Sequence, residues 1–149
     1  MLLLVHHGDA VGPHIDPMRP LSSPGRLATE QLAAAAAARG VRPDLFWHSG
    51  KLRARQTAEI FWKACNPLAS FAATRGLQPD DPPRWLCDQL AGDTRNIVLV
   101  GHMPHLPRLL AVMLTGHDAT SMTSFPQHGC VALEPEHDRW KEMWRLDVS

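Results

Sequence analysis

Two short apolar runs constrain this chain most. LLLVH at residues 2–6 runs into His7 and Gly8, and NIVLVGH at residues 96–102 repeats the logic, a buried-looking run followed by glycine and histidine. A continuous run of branched aliphatics with no polar alternation is the pattern of a strand covered on both faces, which is the situation of strands in a parallel sheet. Between the two runs, strand and helix signals alternate. DLFWHS (44–49) reads as a second strand and SFAAT as a short third one. A helix starts at Ser22 or Ser23 with Pro24 just inside and stops at Gly40. KLRARQTAEIFWKAC (51–65) has helical spacing with Leu52, Ile60, Phe61 and Ala64 expected inward. RWLCDQLA (84–91) and LPRLLAVMLTG (106–116) are further helices, and CVALEP and RWKEMWRLDV close the chain as a hairpin at a sheet edge. The alternation predicts an α/β fold, a three-layer α/β/α sandwich with a mostly parallel sheet, in a single domain over residues 1–149.

Composition narrows the partners. Fifteen basic residues balance fifteen acidic ones, so no charge excess points to nucleic acid or a membrane surface, and any anion site must be built locally. Cys65, Cys87 and Cys130 lack paired metal-ligand spacing and are expected to be reduced packing residues of a cytoplasmic protein. MLLLV is too short for a signal-peptide core, and no run approaches membrane-spanning length.

In open α/β sheets the ligand site lies beyond the carboxyl ends of the strands. That rule gathers His6, His7 and Gly8 after the first run, Ser49 to Arg53 after the second, and Gly101 to Pro104 after the NIVLVGH run. Histidines and an arginine at one rim suit an oxyanion, and an imidazole with a free ring nitrogen can act as a nucleophile. A lone histidine at a strand end is more often structural. The repeat of the run-then-histidine unit, together with the LRARQT helix opening, argues for a functional rim here.

The blocks LVHHGDA, RPLSSPG, HSGKLRARQTA and VLVGHMPHL occur in an order and spacing that resemble the histidine phosphatase superfamily, most closely its short SixA-type phosphohistidine phosphatases. The resemblance runs from residue 2 to about residue 133. It implies a phosphoglycerate mutase-like sandwich with no metal and no cofactor. It implies His7 as the nucleophile that takes up the phosphoryl group, with His102 and Arg53 as catalytic partners. Arg19, from the Arg-Pro-Leu block, is implied as a further phosphate contact, and Gly8, Ser49 and the residue at position 6 complete the binding residues. The expected partner is a phosphorylated protein, such as a histidine phosphotransfer domain, or a small phosphorylated molecule.

Departures from the family pattern carry information too. Position 6 should be arginine and is His6. A guanidinium is charged at any working pH, whereas an ordinary imidazole, with a pKa of roughly 6.5, is mostly neutral at pH 7. If His6 stands in the arginine's place as a cation, anion binding is expected to strengthen as pH falls through about 6 to 7, and His6→Arg to raise activity. Gly50 replaces a frequent proline, and Arg55 a frequent acidic residue. Larger relatives carry a glutamate between the Arg53 and His102 blocks as general acid. Here that region supplies only QPDDPP, with Asp80 and Asp81 as candidates. A phosphohistidine leaving group needs less help from such an acid than an alcohol does. Three functions are therefore open: a phosphohistidine phosphatase, a degenerate relative that binds phosphate or a phosphoprotein, and a metal-dependent hydrolase suggested by histidines such as His14, His48 and His105.

Overall fold

The computed structural model describes residues 1–118 and 124–148. Among the described residues ten elements follow in the order β1 Leu2–His6, α1 Ser23–Ala38, β2 Leu45–His48, α2 Leu52–Cys65, β3 Ser70–Ala73, α3 Pro83–Leu90, β4 Ile97–Gly101, α4 His105–Thr115, β5 Cys130–Glu136 and β6 Arg139–Leu146. They form one six-stranded sheet in the order β3-β2-β4-β1-β5-β6. β3, β2, β4 and β1 run parallel, and the β5–β6 hairpin joins antiparallel along β1.

The sheet is covered on both faces, which explains why β1 and β4 are unbroken apolar runs. Successive residues of a strand point to opposite sides. Leu3, Val5, Val98 and Val100 accordingly pack with Leu32, Ala33 and Ala36 of α1 and Ala58 and Phe61 of α2. Leu2, Leu4, Ile97 and Leu99 pack on the other side with Leu86 of α3 and Leu106, Leu109 and Leu110 of α4. This is the expected three-layer α/β/α arrangement with a mostly parallel sheet.

α1 starts at the expected cap, with Ser22 Oγ accepting from Gly25 N at 3.0 Å. The inward face of α2 differs from expectation. Ala54, Thr57, Ala58, Phe61 and Cys65 are buried, whereas Leu52 and Ile60 are half-buried and Ala64 is exposed. The large side chains were a poor guide because α2 lies close against its neighbours through small residues, and Thr57 turns inward to serve a backbone group of the site. Cys65 and Cys130 are buried, Cys87 is half-buried, and all three are free thiols. Among the described residues no helix is long and apolar enough to cross a membrane.

Candidate active site

The strand order brings the ends of β2, β4 and β1 side by side, so residues far apart in sequence meet at one rim. β1 ends at His6, and the chain is clamped there from both sides. His6 N donates to Gly129 O at 3.0 Å, and His7 N donates to Gly101 O at 3.1 Å. Because the strand stops between them, the two imidazoles do not diverge. Their ring centroids lie 4.5 Å apart, and that of His102 lies 5.0 Å from His7. His6, His7 and His102 are all buried.

The hydrogen bonds of His7 decide its tautomer. Nδ1 stands 2.7 Å from the Gly8 carbonyl oxygen, which can only accept, so Nδ1 carries the proton and Nε2 presents a lone pair. Gly8 N in turn donates to Thr57 Oγ1 at 2.9 Å, and that hydroxyl donates to Arg53 O at 2.8 Å. The nucleophile candidate is thereby tied to the first turn of α2. Gly8 has no room for a side chain, since a Cβ would press into the Thr29 hydroxyl.

The remaining expected residues surround this pair. Ser49 Oγ lies 2.6 Å from His102 Nε2, and Ser49 O accepts from Gln78 Nε2 at 2.6 Å. His102 Nδ1 and Arg53 Nε are buried with no partner among the described residues. Buried polar atoms are rarely left unpaired, so two open valences in one site point to a ligand. Arg19 sits in the left-handed region at φ 49° and is pinned by its Nε donating to Val11 O at 3.0 Å. Gln56 Oε1 accepts from Leu21 N at 2.8 Å, which fastens the Arg19 loop to α2.

The electrostatics share one sign. Burial pushes His6 down to about 3, His7 to about 4 and His102 to about 3. The charged neighbours that act on these rings are all basic: one another, His105, His128, Arg19, Lys51 and Arg53. The Arg53 guanidinium is itself lowered by burial and by Arg19. Among the described residues no carboxylate acts on these three rings. Asp81 accepts from Gln78 N at 2.9 Å and acts on His105 instead, and Asp80 acts on Arg108. Asp9 accepts from the Ser22 hydroxyl at 2.7 Å.

His6 corrects an expectation. Its Nδ1 accepts His128 N–H at 2.7 Å, so the proton of the neutral ring sits on Nε2. His6 can thus donate one hydrogen bond, but burial and its basic neighbours keep it from serving as a cation near pH 6 to 7. The same bond bears on metal binding. One ring nitrogen each of His6, His7 and His128 lies within 4.8 Å of the others. A metal needs a lone pair from every ligand, however, and the one on His6 is engaged by the His128 amide. Of the other histidines considered for a metal, His14 lies exposed, His48 Nδ1 accepts from Gly50 N at 3.0 Å, and His105 is buried beyond His102.

Sequence reasoning missed His128, Thr57, Gln56 and Gln78. His128 had no strand-end or motif signal, and the others act through backbone contacts that spacing does not encode.

The fold and rim geometry were compared with known proteins. No family model matches the sequence, and no curated protein is significantly similar to it. Solved structures do match over nearly the whole chain. A protein assigned as phosphohistidine phosphatase SixA from Agrobacterium tumefaciens is 25% identical, with a TM-score of 0.79 over 97% of this chain and 96% of that one. The protein histidine phosphatase SixA in complex with tungstate has a TM-score of 0.82 at 20% identity, over 99% and 96% of the two chains. The chain has the fold of the histidine phosphatase superfamily. The superfamily's breadth shows in another neighbour, an Escherichia coli protein assigned as an alpha-ribazole-5'-P phosphatase, at 16% identity and a TM-score of 0.76 over 95% of this chain and 93% of that one. Across this breadth the superfamily fold is retained while the identity falls, so the substrate must be argued from the site.

Proposed function

We propose that this protein is a histidine phosphatase superfamily member that removes a phosphoryl group from phosphohistidine in a protein, by way of a covalent phosphohistidine on His7. The observation that carries the reading is a buried cluster of basic groups around one imidazole whose Nε2 lone pair is unengaged.

In the first step the His7 Nε2 lone pair attacks phosphorus in line, the bond from phosphorus to the departing nitrogen breaks, and its electron pair leaves with that nitrogen. The Gly8 carbonyl holds Nδ1–H and stabilises the positive charge growing on the His7 ring. Arg53, Arg19, His102 and the Nε2–H of His6 meet the negative charge on the phosphoryl oxygens. In the second step water attacks phosphorus, the bond to Nε2 breaks, and phosphate leaves with the water oxygen. A departing imidazole can carry its own proton, which agrees with a site where, among the described residues, no carboxylate acts on the His6, His7 or His102 ring. The SixA neighbours favour a phosphorylated protein as substrate, a histidine phosphotransfer domain being one such partner, over a small phosphorylated molecule.

The test is trapping. A phosphohistidine protein carrying labelled phosphate is mixed with the enzyme and quenched in alkali, in which phosphohistidine survives. Label should move to the wild-type chain, while His7→Ala should take none and lose about 10³-fold or more of turnover. Label on His7→Ala would end the assignment, and anion binding without label on the wild type would support a binding protein instead.

A further inference from the structure

The hydrogen bonds around three neighbouring imidazoles differ in what each ring can become. His6 accepts His128 N–H at Nδ1, so a second proton would have to sit where one is already received. His7 donates from Nδ1 to the Gly8 carbonyl, and a proton on its Nε2 would remove the lone pair it presents. His128 donates from Nδ1 to the His7 carbonyl at 2.7 Å, and its Nε2 has no partner among the described residues. His128 is therefore the one ring of the three that can take up a proton with both the hydrogen bonds of the cluster and the His7 lone pair kept. One nitrogen of each ring lies within 4.8 Å of the other two, a spacing that a single tetrahedral oxyanion can span.

The backbone holds His128 in this position. Its φ is 57°, in the left-handed region that a residue with a side chain seldom occupies. In that conformation its amide reaches His6 while its ring reaches the His7 carbonyl and stacks on the His6 ring, 4.7 Å between centroids and 7° between planes. Such outliers concentrate where a fold positions working groups.

We propose that His128 is an oxyanion-contacting residue of this site, binding the phosphoryl group through its protonated ring and so supplying the positive charge that position 6 lacks. The inference rests on the phosphatase reading above. The groups around His128 are His6 and His7 from the end of β1, Asp9 across a shared recess, and Val148 of the C-terminal tail with Asp147 beside it in sequence. Arg53, Arg19 and His102 act on the same pair of rings. With no anion bound, burial holds His6, His7 and His102 at about 3, 4 and 3, well below an ordinary imidazole.

Sulfate is the probe, because it stays a dianion between about pH 6 and 8, where an imidazole can titrate. Calorimetry on the full chain should show affinity rising about tenfold from about pH 8 to about pH 6, as expected when a charge-assisted hydrogen bond is added. His128→Asn keeps an N–H for the His7 carbonyl and tolerates left-handed backbone, but it has no ionisable nitrogen. Its sulfate affinity should be about tenfold weaker near pH 6 and flat across the range. In the unsubstituted protein, saturating sulfate should move the His128 ring nitrogen resonances toward the imidazolium pattern, a reading that does not depend on any variant folding. A His128→Asn protein with the wild-type pH slope, or ring resonances that ignore sulfate, would overturn the proposal. A wild type that binds no sulfate and traps no label would remove the anion site and His128's role together. Trapping that succeeds while the His128 ring ignores sulfate would remove the His128 role alone.

Discussion

At the scale of single residues, the adjacent imidazoles of His6 and His7 are made unlike by their backbone partners. His7 faces a carbonyl and so exposes a lone pair, whereas His6 faces an amide and so exposes an N–H. The rate should reflect this. His7 is held down to about 4, below its ordinary value, so it remains neutral above that point. The acid limb that His7 imposes on kcat/KM of the free enzyme should therefore lie near pH 4, well below an ordinary histidine limb, and a pH–rate profile checks it. His6→Arg now carries a mixed expectation. It adds permanent charge and should tighten sulfate at about pH 8, but it takes away the acceptor for His128 N–H. That loss should lower stability by about 1 to 3 kcal/mol, read from the urea midpoint. Arg53→Ala should weaken sulfate by about tenfold or more, because the variant removes a charge-assisted contact; an unchanged affinity would assign Arg53 to the helix alone.

At the scale of elements, the site is a fastening between the end of β1 and the start of α2. Thr57→Val is nearly isosteric and leaves Gly8 N–H buried without its acceptor. It should cost about 1 to 3 kcal/mol in urea unfolding and slow turnover by loosening Gly8, the residue that fixes the His7 tautomer. The strands and helices of this region were legible in sequence, because buried runs such as LLLVH and IVLVG and the Ser22–Pro24 start each have a local physical cause. The rim was legible for His6, His7, Ser49, Arg53 and His102, since each stands just after a strand or opens a helix. His128 was not. Its place depends on a left-handed turn before β5 and on a pairing between strands whose partners are separated by more than a hundred residues. The inward face of α2 was misread for a related reason, as small residues mark close packing that a count of large apolar side chains overlooks.

At the scale of the whole molecule, the site is a concentration of buried neutral imidazoles. His6, His7, His102 and His105 are held to about 3, 4, 3 and 4 in the folded chain. An unfolded histidine titrates near about 6.5, so from there down to the folded values the unfolded chain binds more protons than the native one. Stability is then full above about pH 6.5 and falls as the solution is acidified, by up to about 2 kcal/mol per group at pH 5. Urea midpoints from about pH 7 to 5 should decline steeply. His105 has both ring nitrogens buried without partners among the described residues. His105→Leu removes that burden, so it should leave the pH 7 midpoint equal or higher and make the acid decline shallower. A decline of undiminished slope would place the effect elsewhere.

The order β3-β2-β4-β1-β5-β6 has a consequence for how the chain comes into being. β1 precedes both of its sheet neighbours by many residues, with His6 registered against Gly101 and Val5 against Cys130. A growing chain therefore carries its paired histidines as an unfinished edge until β4 and β5 have been made. Contacts of such long sequence separation form slowly, because loop closure must come before they stabilise anything. The histidine rim at the end of β1 is therefore complete only once β4 and β5 have paired with it.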